Sequence, residues 1–168
     1  IYKNASHMRT LISELLDFRK QEQGYLKLKV ECRDIVAFTK EVYMSFYEYA
    51  LKHHIAYRFE TSEPSINLWF DPVQMQKVII NLLSNAFKYT PAEGNITVSI
   101  RMHSQQVLLQ IKDSGTGIPQ ESIHKIFDQF YQIDGQRSNL SLGTGIGLTL
   151  SKNIVELHQG NIRVESKV

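Results

Sequence analysis

The sequence predicts a mixed α/β domain preceded by one long amphipathic helix, on three observations. Apolar residues at mixed three- and four-residue spacings run from Ile1 to Lys20 with no partner segment inside that stretch. From Leu26 onward, strand-like runs alternate with helix-period stretches. Midway along, two runs of period-two alternation stand back to back, as in a hairpin.

Met8, Leu11, Ile12, Leu15, Leu16 and Phe18 form the stripe of the first helix, and Gly24 after Gln21-Glu22-Gln23 is its stop or hinge. The stripe suits a bundle or coiled-coil half, so this helix is expected to belong to something other than the domain that follows. A short strand, Leu28 to Glu31, precedes Asp34 as N-cap of a long helix with Ile35, Phe38, Val42, Phe46 and Tyr49 on one side. Strands are expected at Ile55 to Phe59 and Ile66 to Phe70. Asp71-Pro72 starts a helix, because Asp can cap free amides and Pro tolerates the first helical position. That helix carries Val78, Ile79, Leu82, Leu83 and Ala86 and stops before Pro91. Ile96 to Met102 and Val107 to Ile111 form the hairpin, turning near Ser104-Gln105. Two glycine-punctuated segments follow, Asp113 to Pro119 and Gly143 to Gly147, separated by a stretch whose middle is polar and poorly periodic, as in a mobile loop. A helix from Leu148 to His158 and a strand from Asn161 to Glu165 close the chain.

Composition bounds the function. With 168 residues the chain is one domain and an appendage, at about 150 residues per domain. Nineteen Lys and Arg against seventeen Asp and Glu leave +2, too balanced for a nucleic-acid or membrane-surface reader that works by net charge. The single cysteine, Cys32, excludes intramolecular disulfides and multi-cysteine metal sites. No apolar run approaches the roughly 18 residues of a membrane span, and no signal segment stands at the start. The chain is expected to be a cytoplasmic domain, without membrane contact of its own.

Three segments carry chemistry. In Asn81-Leu82-Leu83-Ser84-Asn85-Ala86-Phe87-Lys88-Tyr89-Thr90, the asparagines are four apart and project from one helix face. An amide oxygen suits Mg²⁺, which keeps several waters and takes further oxygens from phosphates. Lys88 lies about one turn on, where it can meet a phosphate, and Tyr89 can lie against a flat base. A polar helix face with one amide capping a neighbour explains the same residues. In Asp113-Ser114-Gly115-Thr116-Gly117-Ile118-Pro119, a carboxylate at a strand end suits a ligand that donates from an exocyclic amine, and the glycines let backbone come close. Gly143-Thr144-Gly145-Ile146-Gly147-Leu148 runs into a helix, where backbone amides and the helix dipole favour phosphate. Each glycine segment alone is equally an ordinary turn. Neither fits the dinucleotide fingerprint or a P-loop.

Together and in this order, the three segments resemble the N, G1 and G2 boxes of the ATP-binding catalytic domain of sensor histidine kinases. That is one branch of the GHKL superfamily, which also holds the gyrase, Hsp90 and MutL ATPases. Phe127-Asp128-Gln129-Phe130-Tyr131 resembles the intervening F box. The resemblance spans about Leu28 to Val168, which sets residues 25–168 as the catalytic domain. Residues 1–24, ending Leu15-Leu16-Asp17-Phe18-Arg19-Lys20, resemble the second helix of the dimerisation and phosphotransfer domain. It implies an α+β two-layer sandwich, the Bergerat-type ATP-binding fold, with a mixed sheet packed on helices. It also implies ATP and Mg²⁺ as cofactors, with Asn85 as metal ligand and Asn81 as its neighbour in the pocket. Lys88 would touch phosphate, Tyr89 would pack near adenine, and Asp113 would accept from the adenine amine. Gly115, Gly117 and Ile118 would shape the adenine end, and Gly143, Thr144, Gly145, Gly147 and Leu148 the phosphate end. Residues from about Asp128 to Leu142 would form a lid. The implied partners are a phosphotransfer histidine helix, a response-regulator receiver domain and a second copy in a homodimer, in a membrane-anchored parent. The Leu-Leu-Asp-Phe-Arg-Lys phrasing also resembles hybrid sensors that carry a receiver domain on the same chain.

Three departures from the pattern matter. Gln129 or Gln132 stands where many relatives carry arginine, so charge neutralisation would lean on Lys88 and Arg137. A further strand with a Gly-Thr-x-Phe pattern is expected after Glu165 and is not in this sequence. The phosphoacceptor box is absent: His7-Met8-Arg9-Thr10-Leu11 lacks the acid beside the histidine and the proline that bends the helix. His53, His54, His103, His124 and His158 are scattered, and none pairs with a carboxylate at metal-site spacing. Two rival readings follow. An ATP-hydrolysing relative would carry a glutamate four residues before the metal asparagine, where Asn81 cannot take a proton. A non-catalytic docking module would not need the Asn, Asp and Gly positions intact.

Overall fold

The computed structural model of the chain describes residues 26–133 and 145–167, with Ile12, Leu16 and Arg19 of the N-terminal stretch. Those three are helical, as the apolar stripe predicts, and Ile12 and Leu16 are exposed. The chain forms two compact units, Lys29–Gly117 in one and Ile118–Lys167 with the N-terminal residues in the other.

The first unit opens with β1 (Glu31–Asp34), α1 (Ile35–Met44) and α2 (Tyr47–Lys52). It continues with β2 (Ala56–Thr61), β3 (Asn67–Phe70) and α3 (Pro72–Tyr89), then β4 (Asn95–His103) and β5 (Gln106–Asp113). β1 pairs antiparallel with β3. β2, β4 and β5 make a mixed sheet in which β2 runs parallel and β5 antiparallel to β4. A parallel pair needs a long crossover, and the chain from β2 to β4 supplies it through β3 and α3. The expected β-hairpin forms, with Ser104 and Gln105 both at positive φ, 46° and 67°, as a two-residue turn of the primed kind requires. Ile96, Val98 and Ile100 are fully buried. Val98 and Ile100 join Ile79 and Leu83 of α3 and Ile35, Val36, Phe38 and Val42 of α1 in one core. A second cluster gathers Ala50, Ile55, Ala86, Phe87 and Ile96. This is the helix-on-mixed-sheet arrangement of the expected α+β class.

Three expectations shift. The first strand lies at Glu31–Asp34 rather than Leu28 to Glu31, because its position follows the ladder with β3 and not its own apolar content. The long helix breaks into α1 and α2, although no Gly or Pro intervenes. The Ser45 hydroxyl donates to the Val42 carbonyl at 2.6 Å and the Ser45 amide reaches the same oxygen, tightening the turn out of α-geometry. In the second unit, Asn161 to Glu165 keeps the alternating burial of a strand but has no ladder partner among the described residues. Alternation specifies faces, whereas a strand also needs a neighbour to bond.

Two aspartates pin the first unit. Asp71 is buried and accepts from the Gln74 amide at 3.1 Å, capping α3, and from the Lys29 amide at 2.8 Å. Asp34 caps α1 through the Val36 amide at 2.9 Å and takes the Ile66 amide at 3.0 Å. Desolvation alone would raise the Asp34 pKa, but the amides of Ile66 and Val36 and the Ser65 hydroxyl outweigh it and hold the carboxyl below its ordinary value. A depressed carboxylate stabilises the fold above its unfolded pKa and loses that contribution as pH falls through the folded one. Urea unfolding from pH 7 to 3 should therefore show stability dropping below about pH 4, with a smaller drop in Asp34→Asn. An identical acid profile for the variant would remove Asp34 from this role.

In the second unit a 3₁₀ turn (Gln120–Ser122) precedes α4 (Gly147–Leu157). The predicted helix start is displaced by one residue only.

Candidate nucleotide site

α3 presents different residues to different surroundings. Val78, Ile79, Leu83, Ala86 and Phe87 are buried, while Asn81 and Asn85 sit half-buried about 40° apart around the axis. Asn81 is engaged with a neighbour. The Asn85 side-chain amide makes no hydrogen bond among the described residues. Lys88 and Tyr89 are exposed at the last turn, with Lys88 Nζ 5.0 Å from the centre of the Tyr89 ring.

The carboxylate follows from the hairpin register. Asp113, the last residue of β5, lies opposite Ile96 at the start of β4. Beyond it, Ser114 and Asn95 bond twice, amide to carbonyl at 3.0 Å and amide to hydroxyl at 2.8 Å. The Gly115 amide then donates to Asp113 Oδ1 at 2.9 Å. That bond orients the carboxylate, and no described residue bonds its other oxygen. Gly115 has a specific reason to be glycine: a Cβ there would stand 2.7 Å from the Tyr89 carbonyl. The turn after β5 thus packs directly on the last turn of α3. Gly117 has φ 75°, the left-handed region that glycine enters without strain.

In the second unit, Gly145 also has positive φ, 70°, and a Cβ on it would lie 2.7 Å from the backbone of Phe130. The Phe130 amide donates to the Gly145 carbonyl at 3.0 Å. α4 begins at Gly147, with no side chain capping it at Ile146. Its first amides, including that of Leu148, are therefore presented in the manner that suits an anion.

The structure thus gathers Asn81, Asn85, Lys88, Tyr89, Asp113, Gly115 and Gly117 in one unit. Ile118, Gly145, Gly147 and Leu148 stand in the other. Gly143 and Thr144 lie outside the described residues, as do residues 134–142 of the expected lid, Arg137 among them, and His7. No group of three or more His, Cys, Asp or Glu that could hold a metal occurs among the described residues. A cation here would lean on one neutral oxygen and its own waters, which fits Mg²⁺ carried on phosphates and not a closed protein cage. No described helix is long and apolar enough to cross a membrane. Two features escaped the sequence reading. The Thr149 hydroxyl donates to the Phe127 carbonyl at 2.9 Å, across 22 residues. The Thr90 hydroxyl is buried at the end of α3 and has no partner among the described residues. Neither leaves a local signal.

Residues 70–168 match the family described as histidine kinase-, DNA gyrase B- and HSP90-like ATPase. The chain is 42% identical over 170 residues to Histidine kinase P4 of Formosa agariphila, covering 99% of this chain and 12% of that protein. It is 32% identical over 161 residues to Sensor histidine kinase WalK of Bacillus subtilis, covering 95% of this chain and 26% of that one. The chain therefore spans a minor part of the length of both relatives. A solved structure of histidine kinase ThkA in complex with response regulator protein TrrA superposes with a TM-score of 0.74 at 25% identity, over 95% of this chain and 43% of that one.

Proposed function

This chain belongs to the histidine kinase-, DNA gyrase B- and HSP90-like ATPase family, as a histidine kinase ATP-binding domain, and from that premise we propose how it works. It binds Mg·ATP and passes the γ-phosphoryl group to a histidine outside residues 1–168. A receiver-domain aspartate of a response regulator then takes the group. The observation that carries this reading is the contact of Gly115 with the Tyr89 carbonyl, which sets the Asp113 carboxylate beside the helix bearing Asn85 and Lys88.

In this reading Asp113 accepts from the adenine amine while the Gly115 amide holds it in place. Tyr89 packs on the base, and Lys88 leaves the Tyr89 ring to meet a phosphate. Asn85 would hold Mg²⁺ through its side-chain oxygen, and the ion would supply neutralisation of phosphate charge. On the second unit, the first amides of α4, at Gly147 and Leu148, have the chemistry that suits a phosphate. Positioning and charge neutralisation are most of what phosphoryl transfer asks of a protein. The bond from the γ-phosphorus to its bridging oxygen breaks as the imidazole nitrogen bonds to phosphorus, and ADP leaves. Asn81 cannot deprotonate water, so transfer to histidine is favoured over steady hydrolysis.

Residues 1–24 are assigned to the phosphotransfer domain's second helix and residues 25–168 to the catalytic domain. The parent is read as a membrane-anchored, homodimeric sensor with this part in the cytoplasm. A regulator partner is supported by the ThkA relative, solved with one. The assay is radiolabelled Mg·ATP, with acid and base stability of the label. Alone, the chain should gain no acid-labile phosphate; given a separate polypeptide carrying a phosphotransfer histidine helix, it should label that helix. Acid-stable label would point to serine or threonine and contradict the reading, and stoichiometric acid-labile label on His7 would overturn the absence of an acceptor.

A further inference from the structure

Thr149 is the third residue of α4, buried to 7% exposure, in the first turn of a helix that no side chain caps. At this position the carbonyls three and four residues back precede the helix, so the hydroxyl has no acceptor inside its own helix to bond back to. Here its hydroxyl instead donates to the Phe127 carbonyl at 2.9 Å. Three residues on, the Phe130 amide donates to the Gly145 carbonyl at 3.0 Å, and the Phe130 backbone fills the space where Gly145 would carry a Cβ. Lys152, one turn after Thr149, holds its Nζ 5.7 Å from the centre of the Phe127 ring. The stretch from Phe127 to Phe130 is thus fastened to the start of α4 at both ends, by a side chain at one and by backbone at the other.

We infer that Thr149 is a positioning residue for the phosphate end of the nucleotide: its hydrogen bond to Phe127 fixes the Gly145-Ile146-Gly147 backbone in the geometry that receives phosphate. The inference rests on the nucleotide reading above. A hydroxyl that only stabilised the fold would affect every ligand alike. One that sets the phosphate amides acts in proportion to the phosphates present, because misaligned donors lose most where charge is concentrated.

The test is calorimetric titration of the whole chain with ATP and with adenosine, both in Mg²⁺, for the parent, Thr149→Val, Thr149→Ala and Thr149→Ser. Valine keeps the shape and deletes the donor, serine keeps the donor, and thermal melts confirm folding. ATP should bind about tenfold more weakly to the valine and alanine variants. Adenosine should bind them as it binds the parent, and the serine variant should match the parent for both ligands. Parent-like ATP affinity in a folded valine or alanine variant overturns the inference, as does equal weakening of ATP and adenosine. A parent that binds no ATP overturns the nucleotide reading itself, an outcome distinct from both.

Discussion

Asn85→Ala is expected to bind ATP with the same affinity in the presence and absence of Mg²⁺, and to transfer phosphoryl at least about a thousandfold more slowly than the parent. The expectation follows from position. Asn85 sits half-buried on α3, and among the described residues its side-chain amide has no partner and no cluster of charged ligands offers Mg²⁺ an alternative. Its loss removes the side-chain oxygen that would hold a hard cation on the protein. The fold should be little affected, since the neighbouring Leu83, Ala86 and Phe87 form the buried side of that turn. Alanine is also a better helix former than asparagine. Calorimetry with and without Mg²⁺ checks it. If Mg²⁺ still tightened ATP as in the parent, the metal would have to be held elsewhere.

Asp113→Asn should weaken ATP binding by about 2 kcal/mol, roughly thirtyfold, with the unfolding midpoint nearly unchanged. The carboxylate accepts the Gly115 amide at 2.9 Å, and an asparagine oxygen can keep that bond. What it cannot keep is a charged acceptor for the adenine amine, where its own NH₂ group would present donor to donor. The exposed setting of Asp113 makes the cost to folding small. A folded variant with parent-like ATP affinity would remove Asp113 from the base-reading role.

Local chemistry was legible in the sequence and long-range pairing was not. Asp34 and Asp71 read as caps because a cap and its amides lie within three residues. The Ser104-Gln105 turn read correctly because two alternating runs meet there. The break at Ser45 did not, since a serine bonding back to Val42 looks like any polar helix residue. The strand expected at Asn161 to Glu165 failed for the opposite reason, its alternation being real and its ladder absent. At the site, the asparagines, Asp113 and the glycines stood out by spacing. The reasons for Gly115 and Gly145 were hidden, because each depends on a backbone that arrives from elsewhere: the Tyr89 carbonyl for one and Phe130 for the other. The Thr149 bond to Phe127 was invisible on the same ground.

Every nucleotide-site role assigned above requires that this chain bind ATP through a metal-assisted site. Isothermal titration of residues 1–168 with ATP, in Mg²⁺ and then in EDTA, tests it most directly. One ATP per chain and clearly tighter binding with Mg²⁺ are expected. No heat of binding in either buffer, from a chain shown to be folded by its melting transition, would contradict it.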